Sequence, residues 1–129
     1  MNIPNDLKYT QSDEWVRVEG STATTGISDY AQGQLSDIVY VELPLIGAAL
    51  KQGEPWGSVE SVKAAADVNL PIGGTVTAVN EALKEKPEVV NSDPYGAGWM
   101  VKFTIASAGE LTGLMDAAAY ETYCSERQH

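Results

Sequence analysis

One lysine has the setting that covalent chemistry on an amine requires. Lys63 lies between two runs of strand-forming residues, with Val59 and Val62 before it and Val68 after it; this pattern predicts two strands joined by a hairpin. Three alanines at 64–66 follow it and leave the amine sterically open. A lysine stem is flexible, and acylation of the amine gives a stable amide without charge. The residues alone leave two interpretations open: a solvated surface lysine, as most lysines are, or an attachment point for a prosthetic group.

Patterns that build an independent active site are missing from the sequence. The single cysteine, Cys124, and the single histidine, His129, are too few for a Cys/His metal site or a disulfide, so we interpret Cys124 as a packed core residue. The glycines of 96–98 lead into a predicted strand, whereas a dinucleotide-binding loop leads into a helix. No phosphate-binding loop and no G-x-S-x-G nucleophile turn occur. Glu60, three residues before Lys63, is interpreted as a hairpin or docking residue.

The composition describes an acidic globular chain. Its 129 residues suffice for one domain with a hydrophobic core. A formal net charge of −10 argues against nucleic-acid binding, which usually requires a basic patch, and against anionic membrane surfaces. The first residues show neither a signal peptide nor a transit pattern, and no run reaches the ~20 apolar residues of a membrane span. We therefore expect a soluble cytoplasmic protein, with a processed mitochondrial form as the less favoured alternative.

The elements that must position the lysine are mostly strands. Besides the two strands of the hairpin, the pattern predicts strands at 14–18, 22–27, 38–43, 74–80 and 99–105. The apolar run at 38–43 suggests a strand buried on both faces. Residues 1–13 are expected to form an irregular lead-in, and residues 81–98 a long loop with a helical turn near 81–85.

Helices are predicted in the middle and at the end of the chain. Ser28 is a suitable N-cap for a short helix over 29–35. The segment Ser107-Ala108-Gly109-Glu110 fits the capping box S-x-x-E, and apolar residues follow at helical spacing. Asp116 is expected to cap a last helix over 117–126. Three side chains of that helix share one face: Tyr120, Tyr123 and Cys124.

A repeated motif suggests how the strands are arranged. The form L-P-x-x-G occurs at 43–47 and again at 70–74, on either side of Lys63. Two halves of similar plan folded against each other predict a mainly β fold, a flattened barrel or sandwich of short strands, with a short internal helix and C-terminal helices. The chain, 1–129, is expected to be a single domain, with a β core at about 14–105 and a helical region at about 107–127.

The segment Glu60-Ser61-Val62-Lys63-Ala64, followed by Asp67 and the turn at 71–74, resembles the lipoyl-attachment motif of the glycine cleavage system H proteins. The likeness covers nearly the whole chain in matching order and spacing. The other matching segments are LKY at 7–9, DEWV at 13–16, GISDYAQ at 26–32, DIVYVELP at 37–44, VN at 79–80, VNSDPY at 90–95 and GW at 98–99. The resemblance implies a lipoyl-domain-like hybrid fold, with lipoate in amide linkage on Lys63.

The same resemblance implies a monomeric, non-catalytic carrier of glycine cleavage. A lipoylating enzyme would attach lipoate, and pyridoxal-phosphate glycine decarboxylase would load an aminomethyl group. Tetrahydrofolate-dependent aminomethyltransferase would remove the one-carbon unit and ammonia, and the FAD enzyme dihydrolipoyl dehydrogenase would reoxidise the arm, so the chemistry belongs to cofactors and partner enzymes. The resemblance also implies a cleft that holds the loaded arm, lined by Ser12, Glu14 and Asp67, with Glu14 paired to the cationic amine.

Two residues depart from the family pattern, which often has His where this chain has Asp13 and Gly where it has Ser36. The first departure removes any pH sensitivity that such a histidine carries. One alternative is another swinging-arm domain, although biotin carriers usually have Met on both sides of the lysine, and lipoyl domains of the oxoacid complexes are shorter and usually have Asp before it. A further alternative is an H-like protein that only relays lipoyl groups, or an unmodified binding scaffold.

Overall fold

The structure is a computed structural model that describes residues 1–127. The strands are β1 (Lys8–Tyr9), β2 (Glu14–Glu19), β3 (Thr22–Ile27), β4 (Ile38–Glu42), β5 (Ala49–Leu50), β6 (Pro55–Ser61), β7 (Ala65–Asn69), β8 (Gly74–Val79) and β9 (Val101–Ile105). The helices are α1 (Asp29–Leu35), α2 (Ala82–Glu85), α3 (Val89–Ser92) and α4 (Ala117–Glu126), with a 3-10 helix at Ala108–Gly113. Two antiparallel sheets pack together without closing, which confirms the predicted mainly β, flattened fold.

The larger sheet contains β2, the strand that begins with the predicted cleft residue Glu14. Its strand order is β1-β2-β3-β9-β8-β5, and neighbouring strands are antiparallel. β2 and β3 are joined at Gly20, which has a φ of 64°, a backbone conformation that glycine adopts without strain. Glu14 is the first residue of β2, directly after the loop at 10–13.

The smaller sheet carries the lysine hairpin and has the strand order β4-β6-β7. Glu60 pairs with Ala65 and Val59 with Ala66, so Lys63 lies in the turn between β6 and β7, as predicted. Gly57 of β6 lies directly against the backbone carbonyl of Glu42 in β4, where a Cβ atom has no room. Glycine therefore permits the close approach of these strands.

The two L-P-x-x-G motifs make equivalent crossings between the sheets. Residues 43–47 lead from β4 of the smaller sheet to β5 of the larger one, and residues 70–74 lead from β7 to β8. The end of the first crossing pairs with β8, the strand into which the second one leads, because Val76 N donates to Ala48 O at 2.9 Å and Gly47 N donates to Val76 O at 2.8 Å. The sequence echo therefore corresponds to a structural repeat that fixes the hairpin sheet against the larger sheet.

The main core lies between the two sheets and combines side chains from both of them, including Val16, Ala23, Val41, Val59, Val68 and Phe103. A second buried cluster joins α4 to the N-terminal strands: Leu7, Tyr9, Trp15, Tyr30, Tyr95, Ala117, Tyr120 and Cys124. Cys124 is fully buried, which confirms its interpretation as a packing residue. The C-terminal helix thus packs against the N-terminal strands.

The prediction that β4 is buried on both faces is wrong. Val39 and Tyr40 are 51% and 49% exposed, whereas Ile38 and Val41 are buried. The register of β4 against β6 shifts between Ile38 and Tyr40. This irregularity turns two apolar side chains outwards in a strand whose sequence alone resembles a central one.

The predicted capping box at 107–110 is also wrong, since the segment forms a 3-10 helix without a side-chain cap. Glu110 Oε1 instead accepts a bond of 2.8 Å from Gly73 N. The other two caps are confirmed: Ser28 Oγ accepts from Ala31 N at 3.2 Å, and Asp116 Oδ1 from Ala119 N at 2.9 Å. The lead-in contains the short strand β1, and the loop at 81–98 contains α3 in addition to the expected helical turn.

Within residues 1–127, no helix is long and apolar enough to cross a membrane. In the same range, no group of three or more His, Cys, Asp or Glu side chains is arranged to hold a metal ion. His129 lies outside the described residues.

Candidate functional site

A tight turn presents Lys63. Ser61 N donates to Ala64 O at 2.7 Å, which closes the turn. The Ser61 hydroxyl accepts bonds from Lys63 N at 3.1 Å and Ala64 N at 2.9 Å, and donates to Ala64 O at 3.0 Å. Val62 N donates to Asp37 O at 3.1 Å and ties the turn to the start of β4. The sequence showed that a hairpin was present, but the structure identifies Ser61 as the residue that orders it.

The Lys63 side chain is exposed and points towards the end of α1. Its Nζ donates to the Gln34 carbonyl at 3.3 Å. Gln34 belongs to the last turn of α1, where unpaired carbonyls give a helix a partial negative charge that favours a cation. The lysine amine therefore contacts the C-terminal end of α1.

A groove of about 180 Å³ begins at this same helix end and runs between α1, the loop before β2, and β7. Gln34, whose carbonyl accepts the bond from the lysine amine, is one of the residues that line this groove. The groove brings together Ser12, Glu14 and Asp67, the three residues predicted from the family resemblance. Its other lining residues are Asp13, Ile27, Ala31, Leu35, Val59, Ala66 and Val68. Most of these are apolar, so the groove has an apolar body and a polar end.

Glu14 is the most unusual residue of the groove, because its carboxylate is buried and only 1% of the residue is exposed. Oε1 accepts bonds from Thr10 Oγ1 and Ser12 Oγ, both at 2.6 Å, and Oε2 accepts from Asn69 N at 3.2 Å. Burial raises the pKa of Glu14 above its ordinary value, and these three bonds partly oppose the rise. Sequence reasoning missed Thr10 and Asn69, which only the folded chain brings to the carboxylate.

Glu14 also reaches a second, larger cavity. This cavity of about 360 Å³ shares Ser12 and Glu14 with the groove and continues towards Gln52, Leu70 and Met115. Asp67, in contrast, is exposed and lies on β7 opposite Ser58. Of the three predicted cleft residues, Ser12 and Glu14 are therefore hydrogen-bonded to each other, and Asp67 lines the same groove from β7.

The two departures from the family pattern share a backbone feature. Asp13 and Ser36 are the non-glycine residues with positive φ in residues 1–127, at 76° and 66°. Asp tolerates the left-handed conformation of Asp13 better than most residues. Ser36, with a ψ of −149°, lies in a region that is essentially restricted to glycine. A glycine would adopt this conformation at the end of α1 without strain.

Comparison with known proteins identifies the family. The family model described as "Glycine cleavage H-protein" matches residues 7–127. The glycine cleavage system H protein of Marinobacter nauticus is 52% identical over 127 residues, 98% of each chain. That of Chromobacterium violaceum is 58% identical over 120 residues, 92% of this chain and 94% of its own.

The comparison extends to a plant and to a solved structure. Glycine cleavage system H protein 2, mitochondrial, of Arabidopsis thaliana is 51% identical over 96% of this chain and 80% of its own. The crystal structure of a glycine cleavage system H protein from Mycobacterium marinum superposes with a TM-score of 0.84 at 33% identity, over 98% of this chain and all of that one. The chain therefore belongs to the glycine cleavage H-protein family and is a non-catalytic carrier.

Proposed function

We propose that Lys63 carries lipoate in amide linkage, and that the chain shuttles the aminomethyl group of glycine from glycine decarboxylase to aminomethyltransferase and electrons to dihydrolipoyl dehydrogenase. Lipoate supplies a disulfide that accepts the aminomethyl group together with two electrons and is later reoxidised. The observation that carries the proposal is the position of Lys63, exposed on an ordered turn beside an apolar groove that ends at a buried carboxylate.

The residues of the hairpin fit an acylated lysine. Acylation removes the charge of Nζ but leaves one N–H, which can still donate to the Gln34 carbonyl that the free amine now contacts. The alanines at 64–66 place no bulky or charged group next to the amine. The Ser61 bonds hold the turn in one conformation. The backbone of the turn therefore loses little conformational entropy when a modifying enzyme binds it.

The groove fits the arm and its cargo. Leu35, Val59 and Val68 give it walls that suit an aliphatic chain, and burial of such a chain contributes about 0.8 kcal/mol for each methylene group. At the polar end, the Glu14 carboxylate would pair with the cationic amine of the cargo. An ammonium group next to Glu14 lowers its pKa, opposing the rise that burial causes, and so stabilises the charged form. In this position Ser12 and Asp67 complete the polar lining around the amine.

The chain has a surface that suits visits to several enzymes. Its net charge of −10 favours approach to basic surfaces of partner proteins. In this proposal the partners are the lipoylating enzyme, glycine decarboxylase with pyridoxal phosphate, aminomethyltransferase with tetrahydrofolate, and dihydrolipoyl dehydrogenase with FAD. The chain acts as a monomer in the cytoplasm and supplies the tether, while each partner supplies its own catalytic groups.

Glycine–bicarbonate exchange with glycine decarboxylase tests the proposal. We expect the lipoylated wild type to support exchange, and Lys63→Arg, which keeps the charge but cannot be lipoylated, to abolish it. Lys51→Arg, an exposed lysine outside the hairpin, is the matched control and should exchange like the wild type. A lipoylated wild type without exchange would instead indicate an H-like protein that only relays lipoyl groups.

A further inference from the structure

The loop at 10–13, which contributes Ser12 and Asp13 to the groove, is hydrogen-bonded to side chains of the C-terminal helix. We propose that α4 is a positioning element for the groove, and that Tyr120 and Arg127 fix Asp13 and thereby place Ser12 and Glu14. This inference rests on the proposed role of the groove in holding the arm. Neither Tyr120 nor Arg127 lines the groove, so their effect is exerted through the loop at 10–13.

Asp13 is the residue through which the helix acts. It lies between Ser12 and Glu14 in the chain and has a φ of 76°, a conformation that needs support from its surroundings. Its Oδ1 accepts a bond of 2.8 Å from the Tyr120 hydroxyl. Arg127 Nη2 lies 3.0 Å from Oδ1 and 3.1 Å from Oδ2. The Asp13 and Arg127 side chains are 19% and 26% exposed, so the ion pair is less screened than one at the open surface.

Tyr120 also joins the loop to α1, which forms the facing wall of the groove. The Tyr120 hydroxyl is 2.6 Å from Ser28 Oγ, and both residues are fully buried. Because the tyrosine proton is directed to the Asp13 carboxylate, the Ser28 hydroxyl donates to the tyrosine oxygen. Ser28 Oγ in turn accepts from Ala31 N and caps α1. One hydroxyl thus connects the N-cap of α1 with the loop that precedes Glu14.

A second connection holds the other side of Ser12. The Tyr123 hydroxyl donates to Gln11 O at 2.9 Å, and Arg127 Nη1 donates to the same oxygen at 3.4 Å. The guanidinium lies over the rings of Tyr30 and Tyr123, at 4.2 Å and 4.5 Å from their centroids. Residues 11 and 13 are therefore both bound to α4, and Ser12 lies between them with its hydroxyl on Glu14.

Amide hydrogen exchange of the unmodified protein provides a readout that is independent of lipoate. Thr10 N donates to Glu14 O, and Asp13 N donates to Thr10 O, so exchange at these amides reports opening of the loop. We expect Arg127→Gln to speed exchange there by about tenfold, the effect of ~1.4 kcal/mol, with β8 and β9 unchanged. Arg127→Lys, which keeps a cation near Asp13, should restore part of the protection.

The controls separate positioning from general loss of stability. Lys84→Gln removes another cation, one that pairs with Glu81 at 2.9 Å on α2, away from the groove. Tyr120→Phe removes the hydroxyl that binds Asp13. Its control is Tyr9→Phe, which removes a buried hydroxyl that binds Pro4 O rather than the loop at 10–13. We expect neither control to change exchange at residues 10–14. Equal exchange in Arg127→Gln and wild type, or faster exchange in all strands together, would overturn the inference.

Cargo retention links the same residues to the groove. In lipoylated, loaded protein we expect Arg127→Gln to release its cargo about fivefold to tenfold faster, an effect of ~1–1.4 kcal/mol. Ser12→Ala should do the same, and the double variant should be no faster than the faster single variant, because both act on one structure. Additive effects, or retention unchanged in Arg127→Gln, would contradict positioning through the loop. A wild type that retains cargo no better than Glu14→Gln would instead refute the proposed role of the groove, while the exchange data still decide whether α4 holds the loop.

Discussion

Replacement of Glu14 by glutamine removes the charge at the end of the groove and keeps the size of the side chain. Alanine is a less selective change, because the carboxylate binds Thr10, Ser12 and Asn69 N and its removal would also free the loop. In the glutamine variant, the amide oxygen can accept from Asn69 N while the amide nitrogen donates to the two hydroxyls, which are able to accept. The groove then keeps its shape and loses one negative charge.

The magnitude follows from the burial of the carboxylate. Glu14 is 1% exposed, so its interaction with a cationic cargo is weakly screened by water and salt. Hydrogen bonds to charged groups contribute about 1.5–3 kcal/mol, which corresponds to a factor of about 10 to 150 in the docked population. We therefore expect the loaded Glu14→Gln variant to lose its cargo about 10- to 150-fold faster than the wild type, with attachment of lipoate at Lys63 unchanged.

The assay follows the loaded protein by mass spectrometry and by release of ammonia, in the absence of aminomethyltransferase. Glu19→Gln is the matched control, because Glu19 lies at the exposed end of the same strand, β2. The three proteins should be lipoylated to the same extent, and only Glu14→Gln should lose its cargo faster. Equal rates of loss in all three would refute the pairing of Glu14 with the amine.

Three further outcomes follow from the site and its surroundings. Ser36→Gly should raise the free energy of unfolding by about 1 kcal/mol in urea titrations, since strain of ~1–3 kcal/mol is relieved at a cost of ~0.5–1 kcal/mol in chain entropy; a lower stability would contradict the strain argument. Ser61→Ala should lower kcat/KM of the lipoylating enzyme by about fivefold, the effect of ~1 kcal/mol lost from the turn, whereas Ser58→Ala on the same strand should not change it. Because burial raises the folded-state pKa of Glu14 above its ordinary 4.5, its contribution to stability is full below that pH and is lost as the pH rises to the folded-state pKa. The Glu14→Gln variant should lack this decline in unfolding free energies measured across mildly acidic pH, and an identical pH slope in both proteins would show that burial does not raise this pKa.

Local signals in the sequence predicted most elements of the fold. The caps at Ser28 and Asp116, the hairpin at Lys63 and the repeated crossings at 43–47 and 70–74 depend on residues that are close in the chain. Such features are set by turn chemistry and by capping hydrogen bonds. The structure therefore has them where the sequence indicates.

The errors arose where a tertiary contact overrode a local one. Glu110 has the spacing for a capping box, but its carboxylate binds Gly73 N instead. In β4, the shift of register against β6 exposes Val39 and Tyr40, and no local pattern reveals a shift that depends on the partner strand.

The site was predicted unequally. Lys63 was predicted from its neighbours and from the family motif, whereas Ser12, Glu14 and Asp67 were predicted from the resemblance alone. The roles of all four residues stay predictions. The support of the groove was missed entirely. Arg127 meets Asp13 across almost the whole length of the chain, and neither residue type nor spacing connects them before the chain is folded.

The mass of the protein purified from a lipoate-replete host tests the central claim most directly. The account predicts a single lipoyl adduct on the intact chain, placed at Lys63 by peptide mapping and absent from Lys63→Arg. An unmodified chain, or an adduct on any other lysine, would contradict it.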